Sequence, residues 1–167
     1  MSPRPASVPS PAPLPPLRFR PHHFLCALGY DGHGYAPGFT ANMTAIVMGQ
    51  LRRHGGGRTV IEVTGIADDI CAPCPHRRGP GCDQQARIDK LDAAHAAALD
   101  LTPGDQLTWD AAQARIVERV KPGDLTRVCD GCQWLRYGMC EAALARLHGA
   151  ATTAPLTSAT GPGKERP

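Results

Sequence analysis

Two stretches of this sequence carry the same arrangement of cysteines: residues 71–82 read CAPCPHRRGPGC and residues 129–140 read CDGCQWLRYGMC. In both, two residues separate the first two cysteines and seven separate the second from the third, a C-x2-C-x7-C pattern. Repeated thiol clusters of this kind are typical of metal or iron–sulfur sites. The repeat therefore predicts that the two cysteine triplets organise the fold.

The third cysteine of each triplet has to fold back towards the first two. Eight residues of continuous helix from Cys132 to Cys140 would separate them by about 12 Å along the helix axis, too far for one centre. Gly138 interrupts that path. The first triplet has its own helix breakers at Pro75, Gly79, Pro80 and Gly81.

Three thiolates leave a four-ligand centre one ligand short. Cys26 can complete one centre, although a single buried cysteine is also commonly just a small apolar residue. His22 and His23 are candidates for the other, unless one centre draws thiolates from both triplets. The predicted ligands are Cys26, His22, His23, Cys71, Cys74, Cys82, Cys129, Cys132 and Cys140.

An iron–sulfur cluster is the cofactor that these ligands favour, with [4Fe–4S] preferred over [2Fe–2S]. Zinc uses the same thiolate and imidazole ligands and is the alternative, because spacing does not separate the two. A redox-active dithiol at Cys71 and Cys74 is a third interpretation. Such a site needs a βαβ context with the second cysteine entering a helix, whereas Pro75 follows Cys74 directly.

Composition narrows the class of protein. The 167 residues are 42% apolar and 20% charged, with seven cysteines, which fits one domain whose folding is helped by metal. We expect no membrane span and no secretory signal, because the chain lacks long apolar runs. A cytoplasmic location follows, where thiols stay reduced. The net charge is +3 and the basic residues are scattered, so nucleic acid is not indicated.

Proline content and apolar periodicity divide the chain into three parts. Residues 1–17 read as a disordered proline-rich tail, 18–149 as the cysteine-rich metal-binding domain, and 150–167 as a second disordered tail. Apolar spacing predicts helices over 39–53, 84–101, 108–120 and 141–148, the last with Gly149 at its C-cap. Alternation over 59–64 predicts one short strand, or a two-stranded piece at most. The fold class is therefore mainly α with a small β element (α+β).

Several other residues suggest chemistry but have simpler explanations. The isolated histidines are expected at the surface or at helix ends: His54, His95 and His148. Asp68 and Asp69 fit a solvated turn or a helix cap better than a catalytic pair. The glycine-rich segment 29–35 lacks the lysine and preceding strand of a phosphate loop, and we expect it to pack on a metal site instead.

Longer motifs around the cysteines resemble a known family. They are RPHHFLC at 20–26, GYDG at 29–32, Gly34-Tyr35, Phe39, Asn42-Met43, DDICAPCP at 68–75 and CDGCQWL at 129–135. Over nearly all of residues 18–149 the chain resembles domain-of-unknown-function family 1284, small bacterial and archaeal proteins suggested to bind iron–sulfur. The resemblance implies an iron–sulfur site and supplies no reaction.

Three functions are consistent with this sequence. The first is an iron–sulfur protein for electron transfer or redox sensing, working with an unidentified redox protein partner. The second is a zinc-stabilised interaction module. The third is an enzyme whose cluster leaves one iron open as a Lewis acid. The sequence has no clear acid–base pair or nucleotide motif to support that third function.

Overall fold

The computed structural model describes residues 12–153. Residues 1–11 and 154–167, which include most of the two predicted tails, lie outside the described part. The α-helices are α1 (His23–Gly29), α2 (Pro37–Ile46), α3 (Gln85–Leu99), α4 (Trp109–Arg119), α5 (Leu125–Val128) and α6 (Met139–Thr153). Single helical turns occur at Val47–Leu51, Gly56–Arg58 and Leu135–Tyr137. The strands are β1 (Leu17–Phe19), β2 (Val60–Val63), β3 (Arg77–Arg78), β4 (Gly81–Cys82) and β5 (Gln106–Thr108).

The sheet is larger than the sequence predicts. The expected strand at 59–64 is confirmed as β2, but it is the centre of a three-stranded sheet, parallel to β1 and antiparallel to β5. A separate hairpin pairs β3 with β4. The expectation of a two-stranded piece at most is wrong because β1 and β5 have only three residues each, too few for a period-two pattern to be recognised. The fold is nevertheless mainly helical with a small sheet, which confirms the α+β class.

The predicted helices form close to their expected positions. The 39–53 segment becomes α2 followed by a π-helical turn, and the 84–101 segment becomes α3. Helix α4 begins as predicted, since the Thr108 hydroxyl accepts a hydrogen bond from the Ala111 amide. This side-chain cap satisfies one of the free N–H groups at the start of the helix.

Helix α6 extends further than predicted. It does not end at Gly149 but continues to Thr153, where the hydroxyls of Thr152 and Thr153 donate to the Gly149 carbonyl at 2.9 and 3.0 Å. Alanines in this segment have high helix propensity, which offsets the cost of the glycine. None of the helices in the described part of the chain is long and apolar enough to cross a membrane.

One apolar core joins the sheet to the helices. Its most buried side chains come from β1, β2, α4, α5 and α6, and they are Phe19, Ile61, Ile116, Leu125 and Leu144. Cys129 belongs to this core, and Cys26, Cys132 and Cys140 pack against it. The second cysteine triplet is therefore part of the packing that holds the fold together.

Candidate metal centres

Four cysteines gather around one cavity, which we call the four-cysteine site. Cys26 from α1 meets the whole second triplet there, namely Cys129, Cys132 and Cys140. The cavity has a volume of about 90 Å³ and an otherwise mainly apolar lining that includes Trp134 and Leu135. The sequence left open which triplet Cys26 would join, and the structure brings it to the second.

Local backbone structure positions these cysteines. Cys129 follows the last residue of α5, and the Cys132 amide donates to the Cys129 carbonyl at 2.9 Å, which forms the C-x2-C turn. Gly138 then reverses the chain with a φ of 75°, a left-handed conformation that favours glycine. Helix α6 starts immediately afterwards and presents Cys140 in its first turn.

Gly29, the last residue of α1, lies against Cys140. A β-carbon at position 29 would lie 2.8 Å from the Cys140 α-carbon and would also collide with its sulfur. Only glycine lets α1 approach α6 this closely. The sequence predicted that segment 29–35 packs on a metal site; the structure places Gly29 against Cys140, one of the candidate ligands.

The cysteine sulfurs of neither site are gathered as closely as the ligands of a single zinc ion. In tetrahedral Zn–S₄ sites, bonds of about 2.3 Å place the sulfurs about 3.8 Å apart. Within residues 12–153, the only three ligand atoms that all lie within 4.8 Å of one another belong to His23, Asp68 and Cys71. No three cysteine sulfurs in this part of the chain meet that limit.

The thiols of the four-cysteine site hold their protons strongly. Burial raises the pKa of Cys129 to about 12, and repulsion from Cys132 and Cys140 adds to the effect. The pKa of Cys140 is raised to about 11 and that of Cys26 well above its usual value, again mainly by burial. These thiols therefore keep their protons at pH 7, and any metal that they ligate would have to displace those protons.

The first triplet lines a second cavity of about 60 Å³, which we call the three-cysteine site. The Cys74 amide donates to the Cys71 carbonyl at 2.9 Å, so this C-x2-C turn has the same hydrogen bond as the other. The β3–β4 hairpin then turns through Gly79 and returns Cys82 to the first two. The Gln84 amide donates to the Cys82 sulfur at 3.4 Å, the kind of contact that stabilises a thiolate.

His22 and His23 line both cavities. The Nδ1 atom of His22 lies 2.5 Å from Asp92 and that of His23 lies 2.5 Å from Asp68. A carboxylate on Nδ1 fixes the ring and leaves Nε2 as the atom available to a metal. Burial and the neighbouring His23 lower the pKa of His22 to about 4, so its imidazole is neutral at pH 7.

Of the two roles expected for Asp68, the solvated turn is wrong, whereas a capping contact is present because its Oδ1 accepts from the amide three residues later. Its side chain is buried and accepts hydrogen bonds from the Arg20 amide, His23 Nδ1 and the Cys71 amide. Burial alone would raise its pKa, but the attraction of His23 and these hydrogen bonds lower it to about 2. Because both carboxylate oxygens are occupied, Asp68 orients His23 and Cys71 and does not itself offer a free ligand atom.

His95 is likewise not a surface or capping residue. It is buried on α3, where Nδ1 donates to the Leu91 carbonyl at 2.7 Å and Nε2 lies 3.4 Å from the Cys129 sulfur. Its spacing of four residues from both Leu91 and Leu99 places it on the inward face of the helix, a signal the sequence contained. His148 does act at a helix end, bonding the Val120 carbonyl, and His54 is exposed, as expected.

Two arginines near the cavities were not predicted. Arg20 is fully buried, and its Nε donates to Asp92 at 2.7 Å. Arg87 lines both cavities and donates to the Gly131 carbonyl at 3.3 Å. Within the described residues, Arg20 Nη2 and Arg87 Nε are buried nitrogens without a hydrogen-bond partner. Arg20 begins the RPHHFLC motif, but nothing in the motif indicates that its guanidinium is buried, and no local pattern marks Arg87.

All seven cysteines are free thiols in the structure, so each is available as a ligand. No curated protein and no solved structure matches the chain. A family model matches residues 34–138, which contain the first triplet together with Cys129 and Cys132 and stop short of Cys26 and Cys140. The chain therefore belongs to the family described as "Protein of unknown function (DUF1284)".

Proposed function

We propose that this protein binds iron–sulfur clusters and serves in electron transfer or redox sensing. The observation that carries the proposal is the convergence of four cysteines from α1, the α5–α6 connection and α6 on one cavity. A cluster supplies one-electron redox chemistry when bound, and four thiolates can each ligate a different iron of a [4Fe–4S] centre. Among the described residues no three cysteine sulfurs lie within 4.8 Å of one another, an arrangement that does not match a single zinc ion held by thiolates.

The chain's own groups would tune such a centre. The cavity is lined largely by apolar and aromatic side chains. Solvent exposure and hydrogen bonds to sulfur are two of the main determinants of cluster reduction potential. Cys129 is buried and the other three cysteines are half-buried, so the protein surroundings would contribute to the potential of a centre held there.

The three-cysteine site is the proposed second centre, with His23 as its fourth ligand. A ring nitrogen of His23 lies within 4.8 Å of the Cys71 sulfur. The Nδ1 atom of His23 is held by a hydrogen bond with Asp68. His22 lines the same cavity and is the alternative fourth ligand. Burial raises the pKa of Cys71 to about 12, with Asp68 adding to the effect, so this site also exchanges protons for a cation.

Zinc is the second candidate, because it uses the same thiolate and imidazole ligands. The observation in its favour is at the three-cysteine site, where a ring nitrogen of His23 lies within 4.8 Å of the Cys71 sulfur. A zinc ion there would act as a structural support that supplies folding energy. For either cofactor, we propose that the protein works in the cytoplasm, where reduced thiols persist, and that electron transfer uses a redox protein partner.

The test is the cofactor content of protein purified without oxygen. We expect a brown protein with visible charge-transfer absorption and about four irons and four acid-labile sulfides per loaded [4Fe–4S] centre. The matched variants are Cys74→Ala and Cys132→Ala, the second cysteines of the two triplets. Each should lose the signal of its own site and keep the other. A colourless protein with stoichiometric zinc and no sulfide would contradict the proposal.

A further inference from the structure

The two cavities share a common wall. The residues that line both are His22, His23, Tyr35, Phe39, Arg87 and Ile88. We propose that the three-cysteine and four-cysteine sites exchange electrons across this wall and form a single two-centre electron-transfer unit. This inference rests on the proposed function, since it requires both sites to hold redox-active clusters.

Tyr35 is the clearest bridge in the wall. Its ring centroid lies 5.2 Å from that of His76, which lines the three-cysteine cavity. On its other side it lies 5.3 Å from the ring of Trp134, which lines the four-cysteine cavity. One aromatic side chain therefore spans the distance between groups that border the two sites. Electron tunnelling weakens steeply with separation, so a wall one side chain thick is compatible with rapid exchange.

A second connection runs through the paired histidines. The rings of His22 and His23 lie 4.1 Å apart, and each has its Nδ1 held by a carboxylate, Asp92 or Asp68. These hydrogen bonds hold both rings in fixed orientations within the wall.

Electrostatics also fit two centres placed side by side. Clusters held by thiolates are anionic overall, and two of them separated by one side chain repel each other. Arg87 borders both cavities, and its Nε is buried without a hydrogen-bond partner among residues 12–153. A guanidinium between two negative centres lowers that repulsion and allows both to accept an electron.

Exposed residues flank both sites. They are residues 77–80 of the β3–β4 hairpin beside Cys82, and residues 130, 131 and 133 beside Cys132. In the proposed unit, an electron that a one-electron protein donor gives to either centre would pass to the other. The first centre would return to its oxidised state, and no bond or proton is involved.

Electron paramagnetic resonance on reconstituted protein tests the inference. In a stepwise reductive titration of the unmodified protein, we expect the first centre's signal to broaden and relax faster as the second becomes paramagnetic. The fully reduced spectrum should differ from the sum of the spectra of Cys74→Ala and Cys132→Ala. A spectrum equal to that sum, with relaxation unchanged through the titration, overturns the inference. So does a protein in which only one cavity ever holds a cluster.

The outcomes of this titration differ from failure of the proposed function, in which the purified protein contains no iron and sulfide at all.

Discussion

The two cysteine triplets have identical spacing and identical first turns, yet they reach different surroundings. In both, the amide of the second cysteine donates to the carbonyl of the first at 2.9 Å. The third cysteine then returns on an exposed hairpin in the first triplet and on the start of a core helix in the second. The C-x2-C turn is therefore a local property of the sequence. Burial of the site depends instead on what the segment carrying the third cysteine packs against.

Removing one centre at a time and measuring the free energy of unfolding tests whether the two sites stabilise the fold to different extents. A cofactor whose free concentration is about a thousand times its dissociation constant stabilises the folded protein by about 4 kcal/mol. We expect Cys132→Ala to lose about this much, because its site joins α1, α5 and α6, and Cys74→Ala to lose about 1–2 kcal/mol. Chemical denaturation under anaerobic conditions measures both. Equal losses would show that the hairpin site supports the fold as much as the core site does.

Gly29→Ala disturbs the four-cysteine site without replacing any of its cysteines. The added methyl group collides with Cys140 and forces α1 away from α6, an overpacking cost of about 2–3 kcal/mol. Iron content at this site should fall while the three-cysteine site stays loaded.

Gly149→Ala is the matched control for that substitution. It lies on the same helix as Cys140, meets nothing within 4 Å, and should stabilise by about 0.5–1 kcal/mol. If both variants behave alike, close packing at Gly29 is not what holds Cys140 in position.

Asp68→Asn tests how much the buried carboxylate beside the three-cysteine site contributes to the pH dependence of stability. Because the folded-state pKa of Asp68 is about 2, below the usual 3.8, its ionisation stabilises the fold above pH 4 and this stability is lost between pH 4 and 2. The shift corresponds to about 2 kcal/mol at pH 7. We expect the variant to be less stable by that amount at pH 7, and the two curves to converge near pH 2.

Asp69→Asn is the neighbouring control, since Asp69 is half-buried and pairs with Arg18 at 3.7 Å near the surface. Its cost should stay below about 1 kcal/mol at every pH. A cost equal to that of Asp68→Asn would place the pH effect in the loop as a whole rather than in the His23–Asp68 contact.

Thr108→Ala should have the smallest effect and should leave both sites intact. The hydroxyl accepts from the Ala111 amide at 3.1 Å, and loss of such a cap costs about 1 kcal/mol. Thermal unfolding measures the cost, and iron and sulfide content should not change. Loss of cofactor in this variant would mean that the sites depend on overall stability and not on their own packing.

Much of the molecule could be predicted from local patterns in the sequence. Helices α3 and α4 follow from apolar spacing and from the Thr108 cap, because these signals act within one or two turns. The repeated C-x2-C-x7-C motif determined which residues form turns and where the chain reverses at Gly138. Short elements such as β1 and β5 escaped prediction, since three residues show no period and their pairing comes from β2.

The way in which the helices, strands and cysteine turns combine follows from the tertiary structure alone. It joined Cys26 to the second triplet, buried His95 against Cys129, and enclosed Asp68 with His23 and Arg20. Each of these contacts unites residues 34 or more positions apart. Turns and helices arise from interactions among near neighbours in the chain, but ligand sets and buried charges require segments that meet only when the core has closed.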